Sequence, residues 1–137
     1  MIKLFLYPII ISLLVHGIKL LIDLLKKRFT WSKAFGYGGM PSSHAALVAS
    51  LATAVFLNEG LNTAFAISII FSFIVLRDAL GLRGYLGEHA RILNKLIKDL
   101  PDQEEYKYPI LEEQIAHTWL QLLIGALLGI FLTLLFF

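Results

Sequence analysis

The sequence predicts an all-α integral membrane protein, a bundle of four transmembrane helices plus a short interfacial amphipathic helix, built as one domain over residues 1–137. Composition is the first reason: 58% of the residues are hydrophobic and 16% charged, with a mean hydropathy of +0.75, well outside the range of soluble proteins. Distribution is the second. The apolar residues fall in four runs, each long enough or nearly so to cross a hydrocarbon core of about 30 Å at about 1.5 Å per residue. Cysteine is absent, which excludes disulfides, thiolate catalysis and Cys-ligated metals.

The first run, Leu4 to Leu25, is too long for a signal-peptide core, carries Lys19 and Asp23, and has no small-x-small cleavage site after it, so it reads as a retained helix. His16, Lys19 and Asp23 share one stripe of that helix, which turns the stripe toward the bundle rather than lipid. The second run, Ser43 to Leu57, is short. Asn58 to Gly60 leaves room only for a tight antiparallel connection to the third, Leu61 to Leu80. After it, Glu88 to Leu100 spaces Leu93, Leu96, Ile97 and Leu100 helically, with Arg91, Asn94, Lys95 and Lys98 elsewhere, as an interfacial helix ended by Pro101 would. Asp102 to Pro109 reads as an exposed connection, and about Ile115 to Phe137 as the fourth span.

Four spans put both termini on one side and the polar segments Lys26 to Pro41 and Gly81 to Glu113 on the other. Ten of the twelve Lys and Arg residues lie on or next to that second side, leaving Lys3 and Lys19, so the positive-inside rule makes it cytoplasmic. The basic residues are interspersed with acids at a membrane interface, and nothing points to nucleic acid.

Two segments carry the chemistry. In GGMPSSH, Gly38 and Gly39 permit close backbone approach, Pro41 suits a helix edge, and Ser42 or Ser43 can cap the helix that follows. His44 then sits in the first turn, beside unpaired N–H groups that form an anion site. A capped helix with a hydrogen-bonded histidine is the plainer reading. In the fourth span, His117, Gln121, Gly125 and Gly129 recur every fourth residue, and Glu113 precedes His117 by one helical turn. The glycines suit close helix packing, within the bundle or in a homodimer. An ionisable group at membrane depth, by contrast, points to function. Arg83, past Gly81, is placed to clamp phosphate oxygens, with Asp78 to orient it or a histidine; an ordinary interfacial charge is the alternative.

Taken together, GGMPSSHAALV, DALGLR, GEHARILN and AHTWLQLLIGALLG resemble the divergent branch of the type 2 phosphatidic acid phosphatase superfamily, the group related to vanadium-dependent haloperoxidases. The resemblance covers essentially the whole chain. It implies metal-independent hydrolysis of a lipid phosphate monoester or pyrophosphate, with no cofactor. A Pro-Ser-Gly-His motif in the better characterised branch supplies phosphate contacts and an acid histidine; here PSSH matches it, with Ser43 replacing glycine and His44 as the acid. His117 matches the nucleophile. Three departures stand out: Leu111 occupies the place of an arginine six residues before the nucleophile, Gln121 that of an acid four residues after it, and the lysine and Arg-Pro motif survives only as Lys19, Lys26 and Arg28.

The sequence-based expectation is a membrane lipid phosphatase working through a phosphohistidine on His117. His44 is the acid, Glu113 the orienting acid, and Ser42, Ser43, Arg83, Lys19 and Gly39 hold phosphate, with Asp78 and Gln121 supporting. Two other classes stand beside it. A non-catalytic phospholipid-binding or scaffolding protein is favoured by Gln121 and Leu111, and a metal-dependent hydrolase would use His44, His89 and His117 with Asp78 or Glu88.

Overall fold

A computed structural model describes residues 2–27, 39–100, 108–113 and 115–137. Arg28, Gly38 and most of the connection expected over Asp102 to Pro109 lie outside the described residues. Every element in the described chain is helical: α1 (Ile2–Leu25), α2 (Ser43–Glu59), α3 (Thr63–Arg77), a π-helical turn (Asp78–Leu82), α4 (Arg83–Lys98) and α5 (Trp119–Phe136).

The helix α2 is the centre of the bundle and packs against α1, α3 and α5. Its sequence explains this position, because Ala45, Ala46, Val48, Ser50, Ala52, Ala54 and Val55 are all buried and let three neighbours approach. The α5 contact is the closest. A Cβ on Gly125 would run into the backbone of Ser42, and one on Gly129 into that of Ala46, so these glycines are what admits α2. This face is therefore filled within the chain. Ile11 and Val15 of α1 close on Ala46, with Leu128 and Leu132 packed over them, while Ala45, Ala79 and Leu122 form a second cluster nearer the functional end. Polar atoms in the bundle are paired: Thr133 Oγ1 donates to Ser50 Oγ at 2.7 Å, and Ser12 Oγ to Ser43 O at 3.1 Å.

The outer surface is the reverse of a soluble protein's. Phe5, Leu13, Phe73, Leu127 and Leu134 all stand exposed on the outward faces. Among the described residues three helical stretches, Leu4–Leu25, Thr63–Lys98 and Trp119–Phe136, are long and apolar enough to cross a membrane. The sequence reading of four such helices is thus met by three; α2, at 17 residues, reaches only about 25 Å. The chain is an all-α membrane protein.

Two boundaries differ from the sequence reading. The third run does not stop at Leu80 but continues through the π turn into α4, so that Thr63–Lys98 is continuous. No proline or cap interrupts it, and α4 starts at Arg83 rather than Glu88. The last helix starts at Trp119, not Ile115. Thr118 is its N-cap: Thr118 Oγ1 accepts from Gln121 N–H at 3.4 Å, and Gln121 Oε1 accepts from Thr118 N–H at 2.9 Å. That capping box leaves Ile115 to His117 outside the helix.

Candidate functional site

The site is built around the N-terminus of α2. Ser42 is its N-cap, its Oγ accepting from Ala45 N–H at 3.4 Å, and the helix dipole and early N–H groups point into the space before it. Ser43 opens the helix and half-buried His44 lies in its first turn, within electrostatic reach of Arg83, Asp78, Lys19 and His16. Just upstream, Gly39 has φ +89, in the left-handed region that favours glycine. Its missing side chain makes room for Lys19: a Cβ there would lie 2.8 Å from Lys19 Cε. Lys19, only 6% exposed, is thereby drawn from the α1 stripe to the segment leading into α2.

His117 is 7% exposed and reaches the same place from the other side. Its Nε2 lies 3.4 Å from Ser42 Oγ and its Nδ1 3.3 Å from Gln121 Oε1. Because Thr118 N–H already donates to that same Gln121 atom, the atom is the amide oxygen, and Nδ1 must carry the proton it donates. Nε2 then keeps its lone pair, directed at the N-cap of α2. Burial holds the imidazole below its ordinary pKa, with His44, Arg83 and Lys19 adding to the effect and the Gln121 hydrogen bond opposing it.

The main chain of His117 is fixed by the π turn. Arg83 N–H, which in an α-helix would bond Ala79 O, bonds Asp78 O instead, and Ala79 O accepts from His117 N–H at 3.2 Å. A second interhelical bond, Ser42 N–H to Gln121 O at 3.3 Å, ties the α2 cap to the start of α5. The turn also folds Arg83 back on Asp78, Nε to Oδ2 at 3.1 Å, with the Arg83 side chain largely buried. Asp78 therefore orients the arginine rather than a histidine.

Ser42, Gln121 and His117 are thus in direct contact, Lys19 meets Gly39, and Arg83 meets Asp78. Glu113 is the exception and a correction. The helical phase that would set it one turn before His117 does not exist, because the helix starts after His117; Glu113 is exposed, and its Oε1 accepts from Asn94 Nδ2 at 2.8 Å. Gln121 is the group on the imidazole. The alternative metal set is not assembled either: among the described residues no group of three or more His, Asp or Glu side chains is gathered to hold a metal ion. Asn94, read from the sequence as part of an outward polar set, is buried and was missed. Its one signal was being the uncharged residue among Arg91, Lys95 and Lys98.

Comparison with known proteins agrees with this picture. The family model described as the divergent PAP2 family matches residues 2–132. An uncharacterized membrane protein of Bacillus subtilis (strain 168), YuiD, is 39% identical over 123 residues, covering 81% of this chain and 78% of the relative. No solved structure matches. A chain of apolar helices that gathers PSSH and a second histidine at one helix end, matched over nearly its full length by that model, belongs to the divergent PAP2 family of phosphatase-related membrane proteins.

Proposed function

We propose that this protein is a metal-independent lipid phosphatase, hydrolysing a phosphate monoester or pyrophosphate of a membrane lipid at the cytoplasmic interface. The observation that carries the reading is the imidazole of His117, held by Gln121 at Nδ1 with Nε2 facing the Ser42 cap of α2. The lipid phosphate binds at that helix N-terminus, on backbone N–H groups, Ser42, Ser43, Arg83 and Lys19, beside Gly39. His117 Nε2 attacks phosphorus in line while the bond to the lipid oxygen breaks, and protonated His44 gives its proton to that oxygen. Water then attacks the phosphohistidine, His44 takes the proton of the water, the N–P bond breaks and inorganic phosphate leaves. The surrounding cations stabilise the equatorial oxygens throughout. In this reading α2 spans the bilayer as the fourth crossing, aided by tilt, α4 lies at the interface, and both termini face outward.

Purified protein in lipid nanodiscs, offered phosphatidic acid, phosphatidylglycerophosphate and a polyprenyl phosphate in excess chelator, should release phosphate from at least one of them. His117→Ala should abolish turnover, and acid-labile label from a radiolabelled lipid phosphate should be trapped on wild-type protein but not on that variant. Saturable binding without release, lost in His44→Ala and His117→Ala, would instead select a phospholipid-binding protein, the reading favoured by the neutral Gln121. Turnover that requires an added divalent ion would overturn the mechanism.

A further inference from the structure

We propose that Asn94 is a positioning residue for His117, acting through the non-helical residues that precede the histidine at the α2 cap. The side chain of Asn94, 6% exposed, behaves as a strand would: Nδ2 donates to Leu111 O and Oδ1 accepts from Leu111 N–H, both at 2.8 Å. The same Nδ2 also donates to Glu113 Oε1 at 2.8 Å. About two turns toward the N-terminus, α4 presents Gly87, where a Cβ would lie 2.5 Å from Glu113 O, so Glu113 lies directly on the helix. Four residues after Glu113 comes His117, with its N–H on Ala79 O of the π turn.

Leu111 and Glu113 are therefore stitched to α4, and His117 to the turn from which α4 grows. Residues 110–113 and 115–117 have no helix of their own to hold them. Main-chain groups outside a helix need partners from elsewhere, and a buried amide with both a donor and an acceptor is the side chain that can pair with one peptide unit. Asn94 thus substitutes for a neighbouring strand and sets how far along α4 these residues sit. That register decides whether His117 arrives level with Ser42 and Gln121. The catalytic consequence rests on the phosphatase reading; the geometric one does not.

The test uses full-length protein in nanodiscs with ¹⁵N-labelled histidine, the His117 signals being assigned by their loss in His117→Gln. Wild-type His117 should show one protonated and one unprotonated ring nitrogen, the pattern of a single Nδ1–H tautomer. Asn94→Ala should average the two, as should Gly87→Ala, which lifts Glu113 from α4 without deleting a hydrogen bond and favours the helix itself. The second variant decides the matter if the first does not fold. Against an accepted lipid phosphate, kcat should fall about 10- to 100-fold with KM changed far less. Unchanged His117 signals in a folded variant would overturn the positioning role whatever the activity. Altered signals in a protein whose wild type never turns over lipid phosphate would uphold it and sink the phosphatase reading alone.

Discussion

At the scale of single residues, the neutral partner of His117 is the feature with the most consequences. A carboxylate at the position of Gln121 would favour imidazolium by charge; the amide orients the ring without doing so. Gln121→Glu keeps the capping box and should raise the His117 pKa, so the acid limb of the pH–rate profile should move to higher pH, and ring titration by NMR should move with it. Burial acts in the opposite sense in the wild type. Since the native pKa lies below the ordinary value of about 6.5, the unfolded chain binds the proton more readily in the window between the two, and stability falls as pH drops through it. Above that window the neutral ring costs nothing. Thermal unfolding followed from pH 7.5 to pH 5 should show this loss, reduced in His117→Gln. Glu113→Gln, in contrast, keeps an acceptor for Asn94 and should leave the His117 ring signals unmoved and turnover within about twofold.

Among elements, α2 and α5 hold the site by close approach, and the α5 glycines that admit it differ from Gly84 of α4. Gly125→Ala drives a methyl group into the Ser42 backbone, an overpacking that should cost about 1–3 kcal/mol and displace the cap that faces His117. Gly84→Ala meets open space on α4 and should be stabilising by about 0.5–1 kcal/mol through helix propensity. Thermal unfolding of both variants in the same detergent checks the pair, and equal shifts would argue against the α2–α5 packing. The π turn is the other element that matters. It costs regularity in a helix of 36 residues and in return leaves Ala79 O on His117 N–H while bringing Arg83 back to Asp78.

For the whole molecule, the proposed topology rests on the uneven distribution of Lys and Arg along the chain. The wild-type chain has no cysteine, so single cysteines report sidedness without background. In intact cells an impermeant maleimide should label Asn58→Cys, in the connection between α2 and α3, and should spare Lys95→Cys on α4 until the membrane is opened. Reversed labelling would place the site on the outer face. The small apolar residues of α2 and the exposed leucines of its neighbours fit one arrangement, a closely packed seam of small residues inside and an apolar surface outside.

Much of this was legible in the residues themselves. Apolar runs longer than a bilayer needs have few ways to satisfy their backbone except as helices, and Ser42 before an alanine-rich stretch marks a helix start wherever it occurs. The helical membrane class, a capped α2 start at Ser42 or Ser43 and the glycine face of α5 were all readable from the residues, since these depend on local backbone satisfaction and side-chain size. Even the start of α5 was readable in Thr118 and Gln121, three apart, although the longer apolar run obscured it. Which group holds His117 was settled by packing between elements, because it depends on where non-helical residues lie against α4. Glu113 and Gln121 both stand four residues from the histidine in sequence; the capping box, the π turn and Asn94 put one on its ring and the other out of reach.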